Sequence, residues 1–200
     1  SESLEDELVS GIVQGTLSVP EDADLIVING PSSDLSDSVK IKAIKALSYN
    51  AGIYGMIGGQ VMDMLGEKIP LTAEKLYKMN RLKTGCLIKC ACIFGLYAAE
   101  NTTSVEQSLY ADAETYADGI GVSFQITDDI LDVCGDEKIL GKPIGSDSEN
   151  GKTTFTTIHT VDEAREIAKK LTSDAKSAVA GYKNSDRLLA LADFLLSRES

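Results

Sequence analysis

Three aspartates occur close together in the stretch GIGVSFQITDDILDV, which covers residues 119–133. On a helix of 3.6 residues per turn, Asp128, Asp129 and Asp132 share one stripe, and apolar residues cover most of the rest. Gln125 lies on the same stripe. A helix of this kind is normally buried, and buried carboxylates destabilise the folded state unless a cation neutralises them. The pattern therefore predicts a cation site, with a solvated acidic face as the alternative.

The donor set of this stripe favours a hard divalent cation. Carboxylates with no histidine or cysteine beside them suit Mg²⁺ or Ca²⁺ rather than a softer metal. Mg²⁺ takes one or two carboxylates and completes its shell with water and substrate phosphate oxygens, which suits three aspartates. Ca²⁺ prefers a crowded loop, and the sequence contains no EF-hand loop. We therefore expect Mg²⁺.

Two lysines follow the aspartates in a polar segment that covers residues 134–160. Lys142 lies in GKPIG and Lys152 in GKTT, where glycines let the backbone approach a ligand closely. A P-loop is excluded because the glycine that it requires before GKT is absent. Two lysines directly after a carboxylate stripe suggest a diphosphate clamp, and the alternative is that both are simply solvated.

Two further polar pairs interrupt apolar helical stretches upstream. Gln60 and Asp63 are three residues apart in GGQVMDM, beside two glycines that permit close helix approach or serve only as packing contacts. Lys83 and Thr84 interrupt the apolar run that continues as GCLIKCACIFG. A lysine in such a run requires an anionic partner.

These residues need a helical frame, and the sequence predicts one from residue 37 onwards. Apolar residues recur at helical spacing from Asp37 to near Gly66, and a second helical stretch follows Pro70 with Thr72 as its N-cap. No internal repeat or low-complexity tract is present.

Two capping-box spacings predict where later helices begin. The first, at residues 103–106, opens a helix that runs to about Val133. The second, at residues 160–163, opens a helix that Gly181 should terminate. A last helix covers residues 185–198. Residues 1–36 differ, because DLIVING between prolines and acidic residues predicts one short buried strand.

The composition of the chain limits which partners and which cellular location we expect. The 200 residues form one or two domains, and Lys plus Arg (19) against Asp plus Glu (31) give a net charge of −12. Such a surface repels nucleic acid and anionic lipid, so neither is an expected partner. No run approaches the roughly 18 apolar residues that span a bilayer. The acidic start argues against a secretory signal, so we expect a cytoplasmic protein.

The four cysteines are predicted to be small buried apolar residues rather than metal ligands. Three lie in one helical stretch, and the single histidine, His159, is far along the chain. A disulfide framework is not expected in a chain of this size without secretory features.

The ordered run GMIGGQVMDM, KTGCLIKCA, FQITDDILDV, GKPIGSD, NGKTTF and DFLLSRES resembles the trans-isoprenyl diphosphate synthase family. This family includes farnesyl and geranylgeranyl diphosphate synthases, and the resemblance covers residues 37–200. It implies an all-α fold, an isoprenoid synthase-type antiparallel helical bundle around a central cavity, here incomplete at the N-terminal side. Residues 1–36 do not match.

The resemblance also implies roles for individual residues. Mg²⁺ would be bound by Asp128, Asp129 and Asp132. The allylic diphosphate would be contacted by Lys83, Thr84, Gln125, Lys142 and Lys152. Gln60 and Asp63 would line the cavity wall, and Phe124 its floor. Asp128, Asp129 and Lys83 would carry the catalysis.

The reaction implied by the resemblance is prenyl chain elongation. Mg²⁺ and lysines stabilise the leaving diphosphate, the allylic C–O bond breaks, and isopentenyl diphosphate attacks the carbocation before a proton is lost. The expected partners are allylic and homoallylic prenyl diphosphates, and the expected assembly is a homodimer.

One departure qualifies this expectation. The family has a first aspartate-rich motif in its N-terminal half, and no DDxxD occurs before Gln60 in this sequence. We therefore expect the chain taken alone to have little condensation activity. The alternative function is a catalytically incomplete helical subunit that binds diphosphate or regulates a full synthase by dimerisation. A relative of the terpene cyclases is a third interpretation, and KTG and GKxT favour chain elongation instead.

Overall fold

The computed structural model describes residues 35–134 and 152–198, and helices joined by short connections make up these two ranges. The elements are α1 (Asp37–Ala51), α2 (Met56–Gly66), α3 (Ala73–Asn80), a π-helical turn (Arg81–Gly85), α4 (Cys86–Glu100), α5 (Gln107–Cys134), α6 (Phe155–Ile158), α7 (Val161–Val179) and α8 (Asp186–Ser197). No strand occurs in the described ranges, and the predicted all-α class is confirmed. The strand predicted within residues 1–36 lies outside the described residues.

The first predicted helical stretch is interrupted. Helix α1 ends at Ala51, and the Gly55 amide then donates to the Gly52 carbonyl at 2.9 Å. A Cβ on Gly55 would lie 1.9 Å from the carbonyl oxygen of Asn50, so a side chain does not fit this turn. The prediction of helix through to Gly66 is therefore wrong at residues 52–55, although α2 ends at Gly66 as expected.

The second predicted stretch is confirmed and runs from Ala73 to Glu100 through α3, the π turn and α4. Thr72 caps it, because the Thr72 hydroxyl accepts a hydrogen bond from the Lys75 amide at 3.4 Å. Its π turn adds one residue to a single turn of helix. Such turns often occur at functional sites, and this one contains Lys83.

The same stretch has the length and composition that would allow it to cross a membrane, and it is the one helix in the described ranges that does. It is bound into the bundle by polar and close packing contacts. Lys83 forms an ion pair with Asp63 of α2, and Gly85 packs against Gly121 of α5. We therefore interpret it as a bundle helix.

Helix α5 runs through the centre of the bundle and begins later than predicted. The Thr103 amide donates to the Ala99 carbonyl at 3.0 Å, so Thr103 lies in the turn that follows α4, and α5 begins at Gln107. The capping box predicted at residues 103–106 is therefore wrong. The predicted end near Val133 is confirmed, because α5 ends at Cys134.

Helix α7 begins where the second capping box predicts. The Thr160 hydroxyl accepts from the Glu163 amide at 3.3 Å, and the Glu163 carboxylate accepts from the Thr160 amide at 2.8 Å. Helix α7 ends at Val179, just before Gly181, and α8 covers most of the predicted last helix.

Two apolar clusters hold α5 in place. One lies between α3, α5, α6 and α7 and contains Leu76, Met79, Val122, Ile126, Ile130, Phe155, Ala164 and Ala168. The other joins α5, α7 and α8 and contains Tyr116, Ile120, Ala175, Val179 and Ala192. Helix α5 is therefore the element against which the site residues are positioned.

The cysteines follow the prediction only in part. Cys90 is buried, and burial raises the pKa of its thiol to about 11, with the nearby Cys86 adding to the effect. Cys86 and Cys92 are half-buried, whereas Cys134 is exposed. No disulfide joins the four thiols, and no group of three or more His, Cys, Asp or Glu side chains in the described ranges is arranged to hold a metal ion.

The packing of α5 on α7 can be tested at Gly119. A Cβ there would lie 2.7 Å from the Ala175 Cβ and 2.8 Å from the Leu171 carbonyl oxygen. We expect Gly119→Ala to lower the free energy of unfolding by about 1–3 kcal/mol, because the added methyl group forces the helices apart. Urea denaturation measures this change.

Gly95→Ala in α4 is the matched control, because a Cβ on Gly95 would meet nothing within 4 Å. This change should stabilise the chain by about 1 kcal/mol, since alanine favours a helix over glycine. A Gly119→Ala protein as stable as the Gly95→Ala protein would contradict the described packing.

Candidate functional site

A buried carboxylate binds two lysines from distant parts of the chain. Asp63 of α2 is 5% exposed. Its Oδ2 accepts a hydrogen bond from the Lys83 ammonium at 2.6 Å, and its Oδ1 lies 3.0 Å from the Lys152 Nζ. The anionic partner that the sequence requires for Lys83 is therefore Asp63 within the chain itself, and the structure brings three of the predicted site residues together.

Two close approaches of the backbone position Lys83. A Cβ on Gly59 of α2 would lie 2.2 Å from the Lys83 amide nitrogen, so only glycine lets α2 contact the π turn here. On the other side, a Cβ on Gly121 of α5 would lie 3.0 Å from the Gly85 Cα. The π turn is thus held between α2 and α5, and Gly59 beside Gln60 is a packing contact that also serves the site.

The same π turn connects to the aspartate stripe through a chain of hydrogen bonds. The Thr84 hydroxyl donates to the Gln125 side-chain carbonyl at 3.1 Å. The Gln125 amide nitrogen then donates to Asp128 Oδ2 at 3.0 Å. Because the amide of Gln125 is engaged at both ends, its orientation and that of the Asp128 carboxylate are set by the π turn.

The remaining oxygen of Asp128 has a partner that the sequence analysis did not identify. Arg198, directly after α8, donates from Nη2 to Asp128 Oδ1 and to the main-chain carbonyl of Phe124 at 3.2 Å. Its guanidinium carbon lies 3.8 Å from the centre of the Phe124 ring, a cation–π contact. Arg198 ends an apolar helical pattern in DFLLSRES, and no spacing signal relates it to residues 70 positions earlier.

The other two aspartates of the stripe differ from Asp128. Asp129 Oδ2 accepts a hydrogen bond from the Phe155 amide at 2.7 Å, so it ties α5 to the start of α6. Asp132 is 4% exposed, one turn beyond Asp128 on α5. The described residues contain no group of three carboxylates arranged as one metal site, and a joint role of all three aspartates stays a prediction.

Three predicted site residues remain, namely Gln60, Phe124 and Lys142. Gln60 is exposed on α2, while Asp63 on the same helix is buried. Phe124 is half-buried and lies 3.8 Å from the Arg198 guanidinium carbon, and its place at the floor of the cavity stays a prediction. Lys142 lies outside the described residues.

The charge balance around Asp63 lowers its pKa. Burial alone would raise the pKa, but the hydrogen bonds and charges of Lys83 and Lys152 outweigh burial and leave the pKa below its ordinary value of 3.8. The carboxylate is therefore ionised at neutral pH. Asp63 and the two ammonium groups together carry a net charge of about +1.

A cavity of about 670 Å³ lies away from this network, between α1, the α3–α4 stretch and α5. The residues that line it include Tyr49, Tyr54, Lys78, Arg81 and Asp118. Neither Asp63 nor Asp128 lines it. We place the candidate site at the Asp63–Asp128 network because the polar side chains of three elements converge there.

The sequence pattern of one protein family matches most of the chain. The family is described as polyprenyl synthetase, and the match covers residues 31–187.

Individual relatives agree with this match. Farnesyl diphosphate synthase of Escherichia coli is 35% identical over 86% of the chain and 58% of its own length. A crystal structure of Helicobacter pylori geranyltransferase complexed with magnesium and isoprenyl diphosphate gives a TM-score of 0.67 at 30% identity, covering 83% of this chain and 53% of that one. Geranylgeranyl pyrophosphate synthetase of Pyrococcus horikoshii gives 0.72 at 25% identity, covering 84% and 62%.

These comparisons confirm the predicted isoprenoid synthase-type helical fold. The chain spans a little over half the length of the curated relatives that it matches.

The pairing at Asp63 predicts a pH-dependent loss of stability in Asp63→Asn. At pH 7 the free energy of unfolding of the variant should be lower than that of the original chain by about 1–3 kcal/mol, because the variant loses two charge-assisted contacts. A lowered pKa means that the carboxylate contributes fully above its unfolded value of about 3.9, and that this contribution is lost as the pH falls through the lower folded value. The stability difference should therefore begin to shrink below about pH 3.9 and disappear only below the lower folded pKa, as followed by urea denaturation between pH 7 and 3.

Asp162→Asn is the control, because Asp162 is almost fully exposed and pairs only with Arg165 at 3.4 Å. It should change stability little at any pH. A stability difference for Asp63→Asn that persists unchanged at pH 3 would contradict the assignment.

Proposed function

Because this chain belongs to the polyprenyl synthetase family, we propose that its described helices bind the allylic diphosphate in a Mg²⁺-dependent prenyltransferase. The reaction is the condensation of isopentenyl diphosphate with an allylic diphosphate, a prenyl chain elongation of isoprenoid biosynthesis. The relatives named farnesyl and geranylgeranyl diphosphate synthases support this proposal.

The meeting of Lys83 and Lys152 at Asp63 is the observation that carries the proposal. These ammonium groups come from segments 69 positions apart (152 − 83), yet both lie within 3.0 Å of one carboxylate. In a chain of net charge −12, this pair is a local positive site for an anion. A diphosphate offers several charged oxygens and can pair with both ammonium groups, as the Asp63 carboxylate already does.

The oxygen donors of the aspartate stripe fit Mg²⁺. Asp128 has a side chain that is 40% exposed, and its neighbours in the network supply no nitrogen or sulfur ligand from histidine or cysteine. Asp132, one turn away, adds a second carboxylate. One or two carboxylates together with diphosphate oxygens are the usual Mg²⁺ ligands. When bound, Mg²⁺ neutralises the charge that develops on the leaving diphosphate.

The protein side chains orient and stabilise the leaving group. Lys83 and Lys152 donate to the diphosphate oxygens, so that the electron pair of the breaking C–O bond moves onto an oxygen already held by two cations. Thr84 and Gln125 hold the Asp128 carboxylate in its orientation through hydrogen bonds of 3.1 and 3.0 Å. This alignment is built before the ligand arrives, which lowers the cost of reorganisation during the reaction.

Lysine variants test the proposal. We expect Lys83→Gln and Lys152→Gln each to weaken the binding of geranyl diphosphate in the presence of Mg²⁺ by about 10- to 100-fold, because each removes a charge-assisted hydrogen bond. Isothermal titration calorimetry measures the affinity. Asp128→Asn should abolish the dependence of binding on Mg²⁺.

Lys169→Gln is the matched control, because Lys169 pairs only with Glu166 on the exposed face of α7. It removes the same charge and should leave the affinity unchanged. Unaltered affinity in both site variants, or no Mg²⁺-dependent binding by the original chain, would refute the proposed site. Turnover with labelled isopentenyl diphosphate and geranyl diphosphate then measures the condensation itself, which we expect to be weak in this chain taken alone because no DDxxD occurs before Gln60.

We also propose that the chain forms a homodimer through α1 and α2. Large apolar side chains on these helices are about half exposed, among them Ile41, Val61, Met64 and Leu65. A second copy would remove them from water. Sedimentation velocity should show a dimer that dissociates more readily in the double variant Val61→Glu, Met64→Glu, whereas Leu191→Glu on α8 should have no effect. A monomer at all concentrations would overturn this assembly.

A further inference from the structure

We propose that Arg198 takes the place of the metal ion beside Asp128 in the metal-free chain. Arg198 then competes with the divalent ion for the Asp128 carboxylate and sets the metal affinity of the site. This inference rests on the proposed function, because it assumes that Asp128 binds a metal ion. It assigns a role to a residue that neither the aspartate stripe nor the lysine pair contains.

The contacts of Asp128 leave no carboxylate oxygen without a protein donor. Oδ2 accepts from Gln125, whose amide is in turn held by Thr84, and Oδ1 accepts from Arg198. A cation that binds Asp128 must therefore lie beside one of these donors or displace it. Gln125 is neutral and can remain beside a cation, whereas the guanidinium carries a positive charge that repels it.

The Arg198 side chain can both bind beside Asp128 and leave that position. This side chain is 14% exposed and its guanidinium carbon lies 3.8 Å from the centre of the Phe124 ring, which stabilises the bound position. However, its Nε is buried without a hydrogen-bond partner, so the guanidinium is incompletely satisfied where it lies. Leaving this position would return that donor to water.

The end of α8 positions Arg198 beside Asp128. Lys176 of α7 holds Asp193 of α8 by contacts of 2.6 and 2.7 Å, and Tyr116 of α5 donates to the Leu188 carbonyl at 2.7 Å. Helix α8 is thereby fixed to α5 and α7. Arg198 follows the last helical residue in an extended conformation, so its side chain can move without unfolding α8.

The test is the affinity for Mn²⁺, a spectroscopic substitute for Mg²⁺, measured by electron paramagnetic resonance with inorganic pyrophosphate present. We expect Arg198→Gln to bind Mn²⁺ about tenfold more tightly than the original chain, because one competing charge is removed. Arg165→Gln is the matched control. It removes the same charge from an exposed pair with Asp162, and it should leave the affinity unchanged.

Arg198→Lys separates charge from packing. It keeps the positive charge, so its Mn²⁺ affinity should stay near that of the original chain, and circular dichroism should show native helix content in both Arg198 variants. Equal affinity in Arg198→Gln and Arg165→Gln would overturn the inference while leaving the metal site intact. Enhanced binding in Arg198→Lys equal to that in Arg198→Gln would also overturn it. No Mn²⁺ binding by any of the proteins would refute both the inference and the proposed function.

Discussion

The site depends on the need of one buried carboxylate for cationic partners. Asp63 lies on α2, and an unpaired charge at 5% exposure would be strongly destabilising. Its two lysines come from the π turn and from the segment before α6, so satisfying Asp63 requires that three distant parts of the chain meet. The glycine at position 59 makes this possible, because any side chain there would collide with the backbone of Lys83. The electrostatic requirement and the close packing of α2 on the π turn are thus one constraint.

The charged groups of the site neutralise one another within the chain. Lys83 and Lys152 share Asp63, while Asp128 pairs with Arg198. Binding of a metal–diphosphate ligand at such a site is an exchange of partners rather than a simple addition of contacts. The gain from new charge-assisted bonds is reduced by the internal bonds that are lost. Self-pairing also lets an acidic protein keep cations concentrated at one place without leaving buried charges unpaired.

The helices themselves could be predicted because their signals are local. Thr72 and the capping box at residues 160–163 mark two starts, and the apolar spacing of α5 gives its end near Val133. Two features could not be predicted in this way. The turn at residues 52–55 occurs inside a helical pattern, where glycines are tolerated in a helix as well as in a turn. The π turn at Arg81–Gly85 leaves no sequence signature, because it is selected by the contacts of α2 and α5 on either side.

The sequence by itself determined the helical class, the family and most of the residue types of the site. The spacing of Asp128 and Asp132 and the unusual position of Lys83 are visible without coordinates, because they follow from helical periodicity and the cost of burying charge. Only the tertiary structure decided the partners: Asp63 for both lysines, the Phe155 amide for Asp129, and Arg198 for Asp128. Partnership depends on distances between segments that are far apart in the chain, whereas residue type and periodicity report only what each segment requires.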